Sequence, residues 1–289
     1  MDGSQDAPAD GEVCLVTGGG SGIGRSIAHR FARDGMRIVI VDVEQAALDA
    51  TVEALGGEDE RVLALCCDVR SPDQMATARE RTLDHFGDIH LVCLNAGVAP
   101  SGPILDTPIE VWDWVFDVNV RGILNGVHAF GPLLARRGRG HIVCTASAAG
   151  LTDTPSIGAY GATKHAVIGL AAALRHELSA AGVGVSVVCP GMIDTKIFES
   201  ERNRPAGMAD PSVDNPTAAV YRDLLAAVGA SPDDVAEMVR QAVVDDQFFV
   251  FPTTDFDEGI DGRIATIRQG LEWRDRVRAD LGLDRVDPS

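Results

Sequence analysis

Short apolar runs alternate with longer amphipathic ones along most of this chain, and that alternation constrains the fold more than any single motif. Strand-like runs lie at Val13–Val16, Arg37–Val41, Val62–Cys67, Leu91–Leu94, Ile142–Thr145, Val185–Cys189 and Phe248–Phe251. Helix-like stretches fall between them at Gly24–Asp34, Gln45–Leu55, Pro72–Phe86, Ile109–Arg136, Ser156–Ala181 and Pro232–Asp245. Strand, helix, strand in repetition is the pattern of a parallel sheet, because each connection must return to the end where its strand began. Strands that are almost wholly apolar belong to a sheet covered on both sides. Right-handed crossovers then give an α/β fold with a doubly wound parallel seven-stranded sheet and helices on both faces. Ser71-Pro72-Asp73 and Ser231-Pro232-Asp233 each offer a capping serine, a proline at the first helical position and an acid in the first turn.

The chain has 289 residues, 45% of them hydrophobic, enough for one large domain or two small ones. With no evident linker or repeat it reads as one domain over residues 11–252, after a flexible acidic N-terminus at 1–10. Residues 192–230 carry Pro205, Pro211 and Pro216 and fall where a loop leaves the carboxyl end of a strand, the usual place for an active-site lid. Residues 253–289 form an extension, helical from about Gly259 to Leu281, expected to pack on the same domain. A net charge of −18 would repel phosphates, which argues against nucleic acid and anionic membrane as partners. No apolar run reaches the roughly 18 residues of a membrane span. The acidic start lacks the features of a signal peptide, so a cytoplasmic protein is expected. Cys14, Cys66, Cys67, Cys93, Cys144 and Cys189 lie in or beside strand-like runs and form no C-x-x-C pair. They read as buried, reduced residues, with neither a metal site nor disulfides.

Two clusters carry chemistry. Thr17-Gly18-Gly19-Gly20-Ser21-Gly22-Ile23-Gly24 follows the first strand and opens the first helix. Glycines there let the backbone approach a pyrophosphate, and the helix N-terminus supplies N–H donors. Asp42, at the end of the second strand, can accept hydrogen bonds from ribose hydroxyls and would repel a 2′-phosphate. Val43 follows it, and Ser21 stands where a basic residue would precede Gly22, so the expected cofactor is NAD. The second cluster is Tyr160 and Lys164, four residues apart on one helix face, with Ser147 upstream. A lysine charge beside the tyrosine is expected to lower its pKa and make it an acid/base near neutral pH.

In combination these motifs resemble those of the short-chain dehydrogenase/reductase family, over roughly Gly11 to Pro252. The resemblance rests on T-G-x-x-x-G-x-G at Thr17–Gly24, Asp68-Val69, Asn95-Ala96-Gly97, Asn119, Ser147, Tyr160 with Lys164, and Pro190-Gly191 followed by Thr195. It implies a Rossmann fold and hydride transfer between NAD(H) and a secondary alcohol or ketone. Tyr160 would be the acid/base, and Lys164 would hold the nicotinamide ribose. Ser147 would hold the substrate oxygen, and Asn119 a water in the proton path. Asp68, Val69 and Asn95–Gly97 would flank the adenosine; Pro190, Gly191, Ile193 and Thr195 would flank the nicotinamide. Val98, Ala149, Leu151, Ile157, Met192, Ile197 and Phe198 are expected to wall an apolar substrate pocket, with Arg202 and Arg204 read mainly as solvated charges. Two other readings stay open: a regulator that binds NADH without turnover, and an epimerase or dehydratase on the same scaffold. The family's dimer uses the helices of Asn119 and Tyr160, so a homodimer or homotetramer is implied. Phe248–Pro252 replaces the Asp-Gly-Gly of many tetrameric relatives.

Overall fold

The computed structural model describes residues 9–57, 60–208 and 217–283. The chain runs β1 (Val13–Thr17), α1 (Gly22–Arg33), β2 (Arg37–Asp42), α2 (Gln45–Ala54), β3 (Val62–Cys66), α3 (Pro72–Phe86) and β4 (Leu91–Leu94). There follow α4 (Ile109–Phe116), α5 (Gly122–Arg137), β5 (Gly140–Thr145), α6 (Gly158–Ser179) and β6 (Val183–Val188). The last elements are α7 (Thr217–Val228), α8 (Pro232–Val244), β7 (Phe249–Val250) and α9 (Asp257–Asp280). Among the described residues the strands form one seven-stranded parallel sheet in the order β3-β2-β1-β4-β5-β6-β7. The order reverses between β1 and β4. A crevice therefore opens at the carboxyl ends of those two strands, where such sheets bind ligands.

The period of two explains why the strands are mostly apolar on both faces. Val13 and Leu15 of β1 join a core with Phe130, Ile142 and Val167 under α3, α5 and α6. Cys14 and Val16, pointing the other way, join Ile27, Phe31, Val235 and Val239 under α1 and α8. Each such buried side chain stabilises the fold by about 1.5–3 kcal/mol relative to exposure. The serine caps form as read: Ser71 Oγ accepts from Gln74 N, and Ser231 Oγ accepts from Asp233 N. Left-handed Gly87 and Gly138 stop α3 and α5.

Four expectations need correction. The single helix expected over Ile109–Arg136 is broken by a π turn at Asp117–Arg121, which carries Asn119. The region read as a loop contains a 3-10 segment, Ile197–Asn203, and the helix α7. Its ends are tied together, since Ala230 N donates to Met192 O and Asp194 N donates to Ala230 O. Pro211 and Pro216 lie outside the described residues. Cys66, expected to be buried, is exposed, because it ends β3 at the sheet's edge strand. Finally, the C-terminal helix forms where expected but does not pack along its length. Arg263 pairs with Asp153 at 3.3 Å near its start, and every residue from Asp261 to Arg276 is exposed.

Candidate active site

The crevice is a cleft of about 280 Å³ at the carboxyl ends of the strands. Its floor is the turn after β1. Gly18 has φ +64°, and a Cβ there would lie 2.9 Å from Ala96 Cα, so only glycine lets the turn sit against the segment after β4. Thr17 Oγ1 accepts from Asn95 N (2.9 Å) and Ala96 N (3.1 Å), and Asn95 Nδ2 donates to Thr17 O (3.2 Å). Thr145 Oγ1 donates to Asn95 Oδ1 (3.1 Å), so Asn95 braces β1, β4 and β5 together. Gly97 and Thr195 also line the cleft. Asp42 closes one end, its two oxygens accepting from Gly20 N (2.9 Å) and Glu44 N (3.1 Å). A carboxylate has about four lone-pair sites, so capacity remains for hydroxyl donors. Asp68 and Val69 line the same end, with Asp68 paired to Arg70 at 2.6 Å.

The other end holds the second cluster of polar side chains. Ser147, Tyr160 and Lys164 all line it. Ser147 Oγ accepts from Ala149 N (3.1 Å), donates to Pro190 O (3.3 Å) and interacts with the Tyr160 hydroxyl. Lys164 is buried and donates from Nζ to Thr145 O at 2.8 Å. Burial pulls its ammonium down to about 8. Burial also pushes the Tyr160 phenol up to about 12, and the Ser147 hydrogen bond opposes this only in part. The expectation that Lys164 lowers the tyrosine's pKa is therefore not met in the free site. The four-residue spacing does put Nζ near the phenol ring, 5.4 Å from its centroid. Nζ donates to the Thr145 carbonyl, and burial of the phenol dominates.

Asn119 is fully buried. Its Oδ1 accepts from Val98 N (2.8 Å), and its Nδ2 donates to Val98 O (2.9 Å) and Thr163 Oγ1 (3.0 Å). The side chain is thus spent on anchoring the segment after β4 to α6. The extra residue of the π turn brings it into reach. Both amide hydrogens are used in this way, while Oδ1 keeps a second lone pair.

Of the expected pocket walls, Val98, Ala149, Ile157, Met192, Ile197 and Phe198 line the cleft; Leu151 packs into the core instead. Trp114, Tyr221 and Phe256 line it as well. Tyr221 comes from the unforeseen helix α7 and stacks on Phe198, with centroids 4.7 Å apart. Arg202 is exposed, as expected, but it is also ion-paired: it donates from Nε to Glu44 Oε1 at 3.0 Å, and Asn203 Nδ2 donates to the same oxygen at 2.7 Å. Burial works to raise the Glu44 carboxyl, but these donors outweigh it and hold the pKa below the usual range. The 3-10 segment is thereby clasped to the residues beside Asp42. Arg204 pairs with Glu201 at 2.8 Å.

Two further residues were missed. Thr253 Oγ1 accepts from Gly191 N (3.2 Å), and Asp255 Oδ2 accepts from Met192 N (2.8 Å). A Cβ at Gly191 would fall 2.2 Å from Asp255 Oδ1, so that glycine admits the clamp. The Pro190–Met192 turn is thus held from behind by Asp255, while Pro190 O accepts from Ala148 N (2.9 Å) beside Ser147. Only the polar Thr-Thr-Asp following Pro252 hinted at this in the sequence. Among the described residues no group of His, Cys, Asp and Glu could hold a metal ion, and no helix is long and apolar enough to cross a membrane.

Comparison with known proteins fits this geometry. Residues 12–206 match the family described as short chain dehydrogenase. The chain is 37% identical over 229 residues to the probable oxidoreductase EphD of Mycobacterium tuberculosis, covering 79% of this chain but 38% of that protein. The chain therefore spans well under half the length of that relative. It is 36% identical over 250 residues to 1-deoxy-11-beta-hydroxypentalenate dehydrogenase of Streptomyces arenae, covering 84% and 83% of the two chains. A short chain dehydrogenase/reductase from Burkholderia phymatum, solved in complex with NAD, superposes with a TM-score of 0.82 at 34% identity, covering 97% of this chain and 98% of that one.

Proposed function

The chain belongs to the short-chain dehydrogenase family, and on that footing we propose that it is an NAD-dependent oxidoreductase acting on a secondary alcohol or ketone with an apolar body. The observation that carries this reading is the convergence of Ser147, Tyr160 and a buried Lys164 at one end of a cleft whose other end is closed by Asp42. Glycine-turn backbone, Asp42, Asn95 and Thr195 fit a dinucleotide along the cleft. The related structure holding NAD supports that placement. When bound, the cofactor supplies the hydride acceptor or donor and, oxidised, a positive charge near the tyrosine.

The residues divide the remaining work. Tyr160 takes the alcohol proton in oxidation and returns it in reduction. Ser147 fixes the substrate oxygen and stabilises charge developing on it. Lys164 has ammonium protons left beyond the one given to Thr145 O, and these serve the ribose hydroxyls and the proton path. A phenol at about 12 is a poor base at neutral pH, so the reading requires that the loaded site lower it. Asn119 acts as a positioning residue. Val98, Trp114, Met192, Phe198 and Phe256 give the substrate end an apolar lining.

The test is reduction of NAD⁺ against NADP⁺ with a panel of secondary alcohols, alongside Tyr160→Phe. The expected result is turnover with NAD⁺, reduced by about 10²–10⁴-fold in the variant, the usual range for a positioned acid/base. Preference for NADP⁺ would overturn the role given to Asp42. NADH binding without turnover on any substrate would favour a sensor.

A further inference from the structure

The helix α9 is the part of the molecule that its own fold does not explain. It runs 24 residues, about 36 Å at 1.5 Å per residue, and none of them is buried. Ile264, Ile267, Leu271 and Trp273 are 43–58% exposed. Gly262 and Gly270 lie inside it with nothing within 4 Å of where a Cβ would be, and such glycines weaken an exposed helix. Isolated helices gain most of their stability from packing an apolar face. This one has such a face and does not pack it against the described residues.

The pattern of that face identifies its occupant. Ile260, Ile264, Ile267 and Leu271 are spaced four, three and four apart, a seam of the kind that pairs helices. Arg274 and Arg278 continue the same stripe. The charges of the helix are unevenly placed: Asp257, Glu258 and Asp261 gather at the start, and Arg274, Arg276 and Arg278 at the end, with Asp275 and Asp280 among them. Such end charges suit the helix dipole, but that leaves the seam uncovered. A parallel pair would set like charges together, whereas an antiparallel pair can set Asp261 opposite Arg274 and Arg263 opposite Glu272. In a chain of net charge −18, α9 carries five arginines against six acids, so its near balance lets two copies approach with little repulsion.

We propose that α9 pairs antiparallel with α9 of a second copy, about a two-fold axis passing beside Ile267 and Arg268. In that register Ile264 meets the other copy's Leu271, Ile267 meets its equivalent, and Asp261 meets the other copy's Arg274. Every contact but that of Ile267 with its equivalent occurs twice, as an isologous interface requires. The surface is separate from the helices of Asn119 and Tyr160 and does not depend on the enzymatic reading. The pairing lies close to the cleft, because Phe256, which precedes α9, lines it.

The test uses full-length protein and light scattering over a dilution series. Ile267→Glu is expected to halve the mass of the wild-type assembly. Arg274→Glu alone should weaken the assembly by setting two acids together, and adding Asp261→Arg should restore it. In a Cys66→Ser background, which removes the exposed native thiol, Ile267→Cys should form an intermolecular disulfide on mild oxidation. An Ile267→Glu mass equal to wild type would overturn the pairing, as would failure of the charge swap to restore it. Loss of helicity in Ile267→Glu without a change in mass would show that α9 packs on its own chain, and would overturn it equally. Retained NADH binding in these variants separates loss of assembly from loss of fold.

Discussion

Lys164 offers the sharpest test of the electrostatics of the site. It is 3% exposed, and burial lowers its pKa from 10.5 to about 8. Below pH 8 it is charged in both folded and unfolded chains, so the full cost of burying the charge is present. Between pH 8 and 10.5 the unfolded chain holds a proton that the folded chain has released, and stability from this group rises with pH. The shift corresponds to about 3 kcal/mol at 1.36 kcal/mol per unit. That is a substantial share of the roughly 5–15 kcal/mol that holds a typical domain.

Lys164→Met keeps the length of the side chain and removes the charge. It also leaves the Thr145 carbonyl without its donor, a penalty that does not vary with pH. The absolute stability of either protein falls at high pH. The buried Tyr160 and the thiols of Cys67, Cys144 and Cys189, held at about 11–12, keep protons that the unfolded chain loses. Those groups are common to both proteins and are set first by burial, with Lys164 a lesser influence on Cys144 and Cys189, so they largely cancel in the difference. Urea unfolding of the two proteins from pH 7 to 10.5 should therefore show wild type gaining on the variant by about 3 kcal/mol, nearly all of it above pH 8. A difference that stays flat across that range would refute the claim that burial, rather than a compensating partner, sets the lysine's pKa.

Three further outcomes follow from the geometry. Glu44→Ala removes the acceptor for Arg202 and Asn203, and should speed NADH release about two- to five-fold in stopped-flow, as expected of a partly exposed ion pair. Unchanged release would mean that the clasp plays no part in cofactor retention. Asp255→Ala should lower kcat about ten-fold or more while leaving NADH affinity nearly unchanged, because a misplaced turn costs rate before binding. Asp255→Asn, which keeps an acceptor for Met192 N, should recover most of it, and a failure to do so would show that the charge matters more than the hydrogen bond. His141 is buried, with Nδ1 lacking a partner, and burial lowers its pKa from 6.5 to about 3. The unfolded chain gains a proton there as pH falls below 6.5, so up to about 5 kcal/mol of stability is lost on acidification. His141→Phe should flatten the acid limb of a urea-unfolding series relative to wild type, and parallel acid limbs would contradict the assignment.

What was legible in the chain was whatever local pattern or strict steric need encodes. The strands announced themselves because a sheet covered on both faces leaves few polar positions, His141 and Ser186 among them. The glycine turn did so because only glycine reaches φ +64° against Ala96 without a clash. Asn119, Ser147, Tyr160 and Lys164 were found as a set, yet their individual states were not, because those depend on groups far away in sequence. Nothing near Tyr160 shows how completely the fold buries it, so the phenol's rise to about 12 could not be read from a four-residue spacing. The clasp is similar: Glu44 and Arg202 are 158 residues apart, and each alone looks like a solvated charge. Asp255 is hidden for the same reason, since its value lies in one backbone N–H that only the fold presents to it.

These omissions share a direction. Each is a contact by which a segment distant in sequence fixes the geometry or charge of the site: Asp255 behind the Pro190–Met192 turn, Arg202 across the cleft, Asn119 tying the segment after β4 to α6. The side chains that would touch cofactor and substrate come from strand ends and from the first turns of α1 and α6, so local sequence finds them. The groups that hold them in place are drawn from wherever the chain returns to the cleft. Substitutions at those groups should therefore move rate and retention while leaving the identity of the reaction unchanged, whereas substitutions at Tyr160 or Asp42 should change what the site can do at all.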